Sequence, residues 1–83
     1  MADDDLRAWI LGRVALLLDV APSRISPERP LTEQGMDSVS AVALVGELEA
    51  ELRRELDADL LHDHPTVDDL VALLDQGAGY RHS

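Results

Sequence analysis

The stretch Leu31-Thr-Glu-Gln-Gly-Met-Asp-Ser-Val-Ser-Ala-Val-Ala-Leu44 decides the fold, because a loop ends and an amphipathic helix begins inside it. Gly35 can adopt the positive φ that a turn into a helix requires. Asp37 suits the N-cap position, which makes Ser38 the first helical residue. Unpaired N–H groups and the helix dipole at that end stabilise an anion, so a phosphate on Ser38 would be favoured. From these residues alone, Ser38 is either a plain capping residue or an exposed hydroxyl that becomes modified.

Ser38 lacks the neighbours that a catalytic serine needs. Hydrolysis requires a general base and an acid that orients it, but the chain has no Gly-x-Ser-x-Gly sequence. Its histidines follow much later, in a short predicted helix and in the tail. Ser40 is another hydroxyl on the same helix, but it lies deeper in that helix. Ser38 therefore fits a residue that becomes modified better than it fits a catalyst, and we expect the chain not to be an enzyme.

The helix that starts at Ser38 is predicted to reach about Glu55 and to carry two apolar stripes. The broad stripe should face the core. It consists of Ala41, Leu44, Val45, Leu48 and Leu52. We call the narrower one the small-residue strip, and it consists of Val39, Val42, Ala43, Gly46 and Ala50. Three explanations are open. Alanine simply fills a helix surface well, a neighbouring helix covers the strip, or the strip is an exposed interface rimmed by carboxylates such as Glu47 and Glu51.

A helix and a long ordered loop are predicted before this segment. The helix should cover residues 4–18, with an N-cap among residues 3–5. Its apolar face contains Leu6, Ile10, Val14 and Leu17. Three prolines and a glycine exclude a continuous helix from residues 19–36. Ser26-Pro27 can start a single helical turn in this loop. Three aliphatic residues are spaced to anchor it: Val20, Ile25 and Leu31.

Two further helices are predicted after residue 56. A short one fits residues 57–63 and ends before Pro65. Thr66 then caps a fourth helix, which Gly77 and Gly79 should end. The apolar face of this last helix contains Val67, Leu70, Val71 and Leu74. The pattern predicts an all-α fold, a small four-helix bundle with three main helices, one short helix and a long loop between the first two.

Length and composition allow one domain, residues 1–83, with a core over about 4–76 and a flexible tail over 77–83. The chain has no cysteine, which excludes disulfides and thiolate metal sites. Asp59, His62, Asp63 and His64 are residue types that bind metals. Because Pro65 breaks the helix beside them, we expect a chance surface cluster and no metal site.

The formal charge of −10 is concentrated on residues 33–63, which hold nine acids and two arginines. This charge argues against nucleic acid and against anionic membranes as partners. No apolar run approaches the ~18 residues of a membrane span and no signal peptide follows Met1, so we expect a cytoplasmic protein. The acidic segment is either a solvated helix face or a docking surface for basic partners.

Residues 31–74 resemble the carrier-protein family, the acyl and peptidyl carriers of polyketide, fatty-acid and non-ribosomal-peptide synthesis. The resemblance rests on Gly-x-Asp-Ser at a helix start and on Asp63-His-Pro-Thr-Val67 after a suitable helical span. It implies that a phosphopantetheinyl transferase with Mg²⁺ attaches 4′-phosphopantetheine from coenzyme A to Ser38. The thiol of this arm would then carry acyl groups as thioesters. By the same likeness, Asp37 would assist at the transferase interface, and Val39, Val42 and Gly46 would lie in the partner-recognition strip.

Asp37 before the serine and the strong acidity resemble acyl carriers, and the Asp63-His-Pro-Thr segment is similar to polyketide-synthase carriers. The expected protein is a monomeric acyl carrier whose partners are the transferase, a ketosynthase, an acyltransferase and other biosynthetic enzymes with basic docking surfaces. Met1 and the short tail favour a free-standing domain. A peptidyl or aryl carrier is the alternative within the family, and an acidic helical adaptor without a prosthetic group is the alternative outside it. His62 departs from the family, which commonly has Phe or Tyr there.

Overall fold

The computed structural model describes the backbone of residues 3–57 and 59–79. These residues form four α-helices, with no strand among them. The helices are α1 (Asp3–Leu18), α2 (Ser38–Leu52), α3 (Leu60–Asp63) and α4 (Val67–Gly79). The predicted all-α bundle of three main helices and one short helix is confirmed. None of the helices in this part of the chain is long and apolar enough to cross a membrane.

The core is aliphatic apart from one methionine. Its buried members are Leu6, Ile10, Val14, Ala15, Ile25, Leu31, Met36, Leu44, Val45, Leu48, Leu60, Val67, Leu70, Val71 and Leu74. The apolar faces predicted for α1, α2 and α4 all contribute to it, and Trp9 packs against it while partly exposed. Each of these three helices buries one apolar face whose residues recur at helical spacing, and the packing of these faces against one another forms the bundle.

The second helix ends at Leu52, so the prediction that it reaches Glu55 was wrong. Arg53 adopts a left-handed conformation with φ 57° and its N–H donates to the Glu49 carbonyl. The Arg54 N–H also donates to that carbonyl, at 3.2 Å. These bonds satisfy carbonyl groups at the helix end and turn the chain away from the axis. Glu55 therefore lies outside α2.

The starts of α1 and α3 also differ from the prediction. Asp3 to Asp5 were predicted as N-cap candidates, but all three are helical residues of α1. α3 begins at Leu60 and not at Asp57. The Asp57 carboxylate accepts the Asp59 N–H at 2.8 Å, which forms a local turn. Aspartate side chains compete with helix formation in this way.

The predicted cap of α4 is confirmed, because the Asp69 N–H donates to Thr66 Oγ1 at 2.9 Å. The helix passes through Gly77 and ends at Gly79. Residues 80–83 lie outside the described part of the chain. The flexibility of residues 77–83 therefore stays a prediction.

The loop between α1 and α2 is fastened to the start of α4. The Leu31 N–H donates to the Pro65 carbonyl at 2.8 Å, and the Asp68 N–H donates to the Pro27 carbonyl at 3.0 Å. An Arg7–Asp68 ion pair joins α1 to the same point of α4. The loop is thus an ordered part of the bundle, as predicted.

A glutamine side chain holds the loop together from within. The Gln34 amide accepts the Ser26 N–H at 2.7 Å and donates to the Ser26 and Arg29 carbonyls at 2.9 and 3.0 Å. Two 3-10 turns form in the loop, at Pro22–Arg24 and Leu31–Gln34. The helical turn predicted at Ser26-Pro27 was therefore wrong in position.

Two of the three predicted loop anchors are confirmed. Ile25 and Leu31 are buried, but Val20 is 40% exposed. Asp19 adopts a left-handed conformation with φ 59°, and the Val20 N–H donates to the Ala15 carbonyl at 3.0 Å. Val20 therefore belongs to the turn that ends α1, and its side chain does not point into the core.

We predict that Leu48→Ala lowers the free energy of unfolding by about 2–5 kcal/mol, because it removes a fully buried side chain and leaves a cavity. Leu16→Ala is the matched control, since Leu16 is 68% exposed on α1. It should change stability by less than about 0.5 kcal/mol. Urea unfolding of both variants measures the difference. Similar losses in the two variants would contradict the assigned core.

Candidate functional site

The turn that delivers the chain to α2 is centred on Gly35. This glycine adopts φ 112° and ψ 2°, and its N–H lies against the Leu31 and Thr32 carbonyls. The Met36 N–H donates to the Leu31 carbonyl at 3.1 Å. Leu31 and Met36 are both buried, so the turn is anchored on either side of the glycine. The positive φ expected of Gly35 is confirmed. Met36 was missed as a core residue, because a single methionine in a loop shows no periodicity.

Asp37 is the N-cap of α2, as predicted. Its backbone is extended, with φ −96° and ψ −178°, and its Oδ1 accepts the Ser40 N–H at 2.8 Å. This hydrogen bond is the main cause that lowers the pKa of the Asp37 carboxyl below its ordinary value. The carboxylate therefore stays ionised and holds the first turn of the helix.

Ser38 is the first residue of α2 and is exposed. The first N–H groups of a helix have no partners within the helix and carry the positive end of its dipole. An anionic phosphodiester on this hydroxyl would therefore lie in a favourable field. Ser40, the other hydroxyl, is half-buried, and its N–H is taken by Asp37. The site fits the attachment of a phosphate-linked group at Ser38 better than at Ser40.

The small-residue strip lies open on the surface of α2. Val39 is 77% exposed and Val42 is 65% exposed. Gly46 and Ala50 are exposed as well, and Ala43 is half-buried. Of the three explanations for this strip, cover by a neighbouring helix of the described chain is therefore wrong, and exposure agrees with both of the others. An exposed apolar strip is a feature of interaction surfaces.

A shallow groove of about 190 Å³ runs beside this strip, toward the connection between α2 and α3. Its lining residues are Val42, Val45, Gly46, Glu49 and Leu56. Glu49 Oε2 accepts the Leu56 N–H at 2.8 Å and so ties this connection to α2. The groove is therefore mainly aliphatic, with one carboxylate already engaged in a hydrogen bond.

On the opposite border of the strip, Glu47 pairs with Arg13 of α1. The Arg13 Nε donates to Glu47 Oε1 at 2.7 Å, and the guanidinium lies 6.0 Å from the centroid of the Trp9 ring. The hydrogen bond and the charge of Glu47 raise the pKa of Arg13. Glu51, one turn further along α2, is exposed.

The histidines do not join this site. His62 is exposed on α3, and His64 is half-buried just after it. Among the side chains that the structure describes, those of residues 4–57 and 59–74, no three of histidine, cysteine, aspartate or glutamate are grouped in a way that suits a metal ion. His62, the residue that departs from the family, is exposed and is not among the residues of the core.

A four-helix bundle that presents a serine at the start of its second helix, beside an open apolar strip, has the architecture of a carrier domain. The family model for the phosphopantetheine attachment site matches residues 8–74. The chain belongs to this family of carrier domains, whose cofactor is covalently bound phosphopantetheine.

The relatives include domains of large synthases. One is the phenolphthiocerol/phthiocerol polyketide synthase of Mycobacterium tuberculosis, with 33% identity over 70 residues to one of its subunits, covering 84% of this chain. Another is the pikromycin polyketide synthase component PikAIII of Streptomyces venezuelae, with 40% identity over 60 residues, covering 72% of this chain. The chain spans only 4% of the length of each of these relatives.

Solved structures of carrier proteins have the same fold. A free-standing peptidyl carrier protein from Acinetobacter baumannii matches with a TM-score of 0.88 and 33% identity, covering 92% of this chain and 95% of that one. The acyl carrier protein LipD from Actinoplanes friuliensis matches with a TM-score of 0.73 and 41% identity, covering 88% and 81%. The predicted carrier fold is thereby confirmed.

We predict opposite effects for two glycine-to-alanine substitutions. An added Cβ meets nothing within 4 Å at either Gly35 or Gly46. The backbone conformation therefore decides whether the substitution raises or lowers the free energy of unfolding. Gly35→Ala should lower the free energy of unfolding by about 1–2 kcal/mol, because the φ of residue 35 is positive. Gly46→Ala, in the middle of α2, should gain about 0.5–1 kcal/mol. Thermal unfolding distinguishes the two. Equal shifts in both variants would contradict the conformation assigned to Gly35.

The lowered pKa of Asp37 predicts a pH-dependent contribution to stability. A carboxyl whose pKa is lower in the folded state stabilises the fold fully above its unfolded pKa. This contribution is lost as the pH falls through the folded-state pKa. Asp37→Asn keeps an N-cap side chain but removes the ionisation. The stability difference between wild type and Asp37→Asn should be constant near neutral pH and should shrink below about pH 4. Denaturant unfolding at several pH values measures both stabilities. A difference between the two proteins that stays constant below about pH 4 would contradict the prediction.

Proposed function

We propose that Ser38 is the attachment point of 4′-phosphopantetheine, transferred from coenzyme A by a phosphopantetheinyl transferase with Mg²⁺. The observation that carries this proposal is the exposed Ser38 hydroxyl, directly after the Asp37 cap and within the matched residues 8–74. In the transfer, the serine oxygen forms a phosphodiester while the pyrophosphate bond of coenzyme A breaks. Adenosine 3′,5′-bisphosphate leaves, and the serine proton passes to a base of the transferase.

The residues around Ser38 determine its position and its electrostatic environment. Gly35 and the buried Met36 fix the direction of the turn. Asp37 holds the first helical turn through the Ser40 N–H, and we propose that it also assists at the transferase interface. The helix N-terminus stabilises the negative charge that the phosphodiester brings. Ser38 would therefore hold the arm at a position that the turn and the helix cap define.

The arm supplies a thiol that holds an acyl group as a thioester, and the chain itself brings this group to partner enzymes. Attachment to a docked domain raises the local concentration of the acyl group at each active site. We propose that Val39, Val42 and Gly46 contact the partners, with Glu47 and Glu51 at the border of this contact. The exposure of the two valines supports this role.

The polyketide synthases among the relatives support an acyl carrier of a polyketide pathway. Its partners are then a ketosynthase, an acyltransferase and other biosynthetic enzymes with basic docking surfaces. We propose that the domain acts as a monomer in the cytoplasm, where coenzyme A supplies the arm, and that its partners perform the chemistry. The similarity to a peptidyl carrier from Acinetobacter baumannii favours a second candidate, a peptidyl carrier. The enzyme that loads the thiol, an acyltransferase or an amino-acid-activating enzyme, distinguishes the two.

We predict that the domain gains one phosphopantetheine group when it is incubated with coenzyme A, Mg²⁺ and a broad-specificity phosphopantetheinyl transferase. Intact mass spectrometry measures the adduct. Ser38→Ala should show none, because it lacks the accepting oxygen, and Ser40→Ala is the matched control that should still be modified. Circular dichroism verifies that both variants fold. An adduct on Ser38→Ala would contradict Ser38 as the attachment point. No adduct on the folded wild type would contradict the carrier function and favour an adaptor.

A further inference from the structure

Helix α2 carries three glutamates, and two of them already have partners inside the chain. Glu47 Oε1 accepts a hydrogen bond from Arg13 Nε at 2.7 Å. Glu49 Oε2 accepts the Leu56 N–H at 2.8 Å. Glu51 is exposed. The sequence therefore overstates how many carboxylates of α2 are available to a partner protein.

The two engaged carboxylates border the small-residue strip on opposite sides. Glu47 follows Ala43 by four residues, which places it one turn further along the same side of α2. The contact with Arg13 shows that this side faces α1. Glu49 lines the groove on the other side, together with Val42 and Gly46. A partner that covers the strip therefore meets the Arg13–Glu47 pair at one border.

Arg13 is well placed to keep this pair formed. Its guanidinium lies 6.0 Å from the centroid of the Trp9 ring, where the ring face attracts a cation. The side chains of Arg13 and Glu47 remain 37% and 30% exposed, so a docked protein can reach them. The pair as a whole has no net charge, and it adds a cation to a border that would otherwise be acidic.

We propose that Arg13 is a specificity-determining residue of the docking surface on α2. By pairing with Glu47, it withholds this carboxylate from basic partners. Docking then relies on Glu51 and on the small-residue strip. The partner that fits has an apolar patch with a basic group toward Glu51 and none toward Arg13. This inference rests on the proposed carrier function, because it assumes that α2 docks partner enzymes.

Association with a broad-specificity phosphopantetheinyl transferase tests the proposal. All variants carry Ser38→Ala, so that binding is measured without transfer, by titration calorimetry at low ionic strength. Arg13→Gln should tighten binding by roughly two- to fivefold, the range that corresponds to an exposed ion pair. Arg24→Gln changes the net charge equally at an exposed residue between α1 and α2, and it should have a smaller effect. In high salt the gain should disappear.

A double variant separates the two possible causes of tighter binding. If Glu47 is the withheld group, Arg13→Gln combined with Glu47→Gln should bind like the parent. A gain that persists in full without Glu47 overturns the proposal, since repulsion by Arg13 alone then explains it. A gain no larger than that of Arg24→Gln, or parent binding that does not respond to salt, overturns it as well. Failure of the carrier function is detected separately, as the absence of an adduct on the domain with Ser38 intact.

Discussion

The attachment of the loop between α1 and α2 to the start of α4 is the constraint on which the site depends. Two backbone hydrogen bonds, Leu31 N–H to Pro65 and Asp68 N–H to Pro27, join segments that are far apart in sequence. The buried Leu31 side chain adds an apolar anchor at the same point. Ordering a long loop costs conformational entropy, and these contacts offset it. Because the loop is held, the exposed Ser38 that follows it has a defined position.

The same small bundle uses several of its carboxylates for structure. Asp37 caps α2 through the Ser40 N–H, Glu49 holds the α2–α3 connection through the Leu56 N–H, and Glu47 pairs with Arg13. The net charge of −10 therefore overstates what a partner meets at the strip. The electrostatic character of the proposed docking surface depends on which of these contacts are formed, and formal charge alone does not describe it.

Local sequence signals predicted much of the fold. Periodic apolar residues identified the buried faces of α1, α2 and α4, and the caps at Asp37 and Thr66 are confirmed, because such residues act on N–H groups only three positions away. The predicted end of α2 was wrong, since Arg53 adopts a left-handed conformation that arginine rarely favours. Val20 was wrong as an anchor for a related reason, since the turn at Asp19 directs it outward.

The sequence by itself determined the order of the helices, the capped start of α2 and the position of Ser38 as its first helical residue. It also showed that α2 has two apolar stripes, since periodicity states which residues share a face. Only the tertiary structure decided which stripe is covered, with Val39 and Val42 left exposed. Only the tertiary structure showed that Glu47 faces Arg13. The physical reason is that these contacts join residues distant in the chain, and local periodicity contains no information about how neighbouring helices are placed.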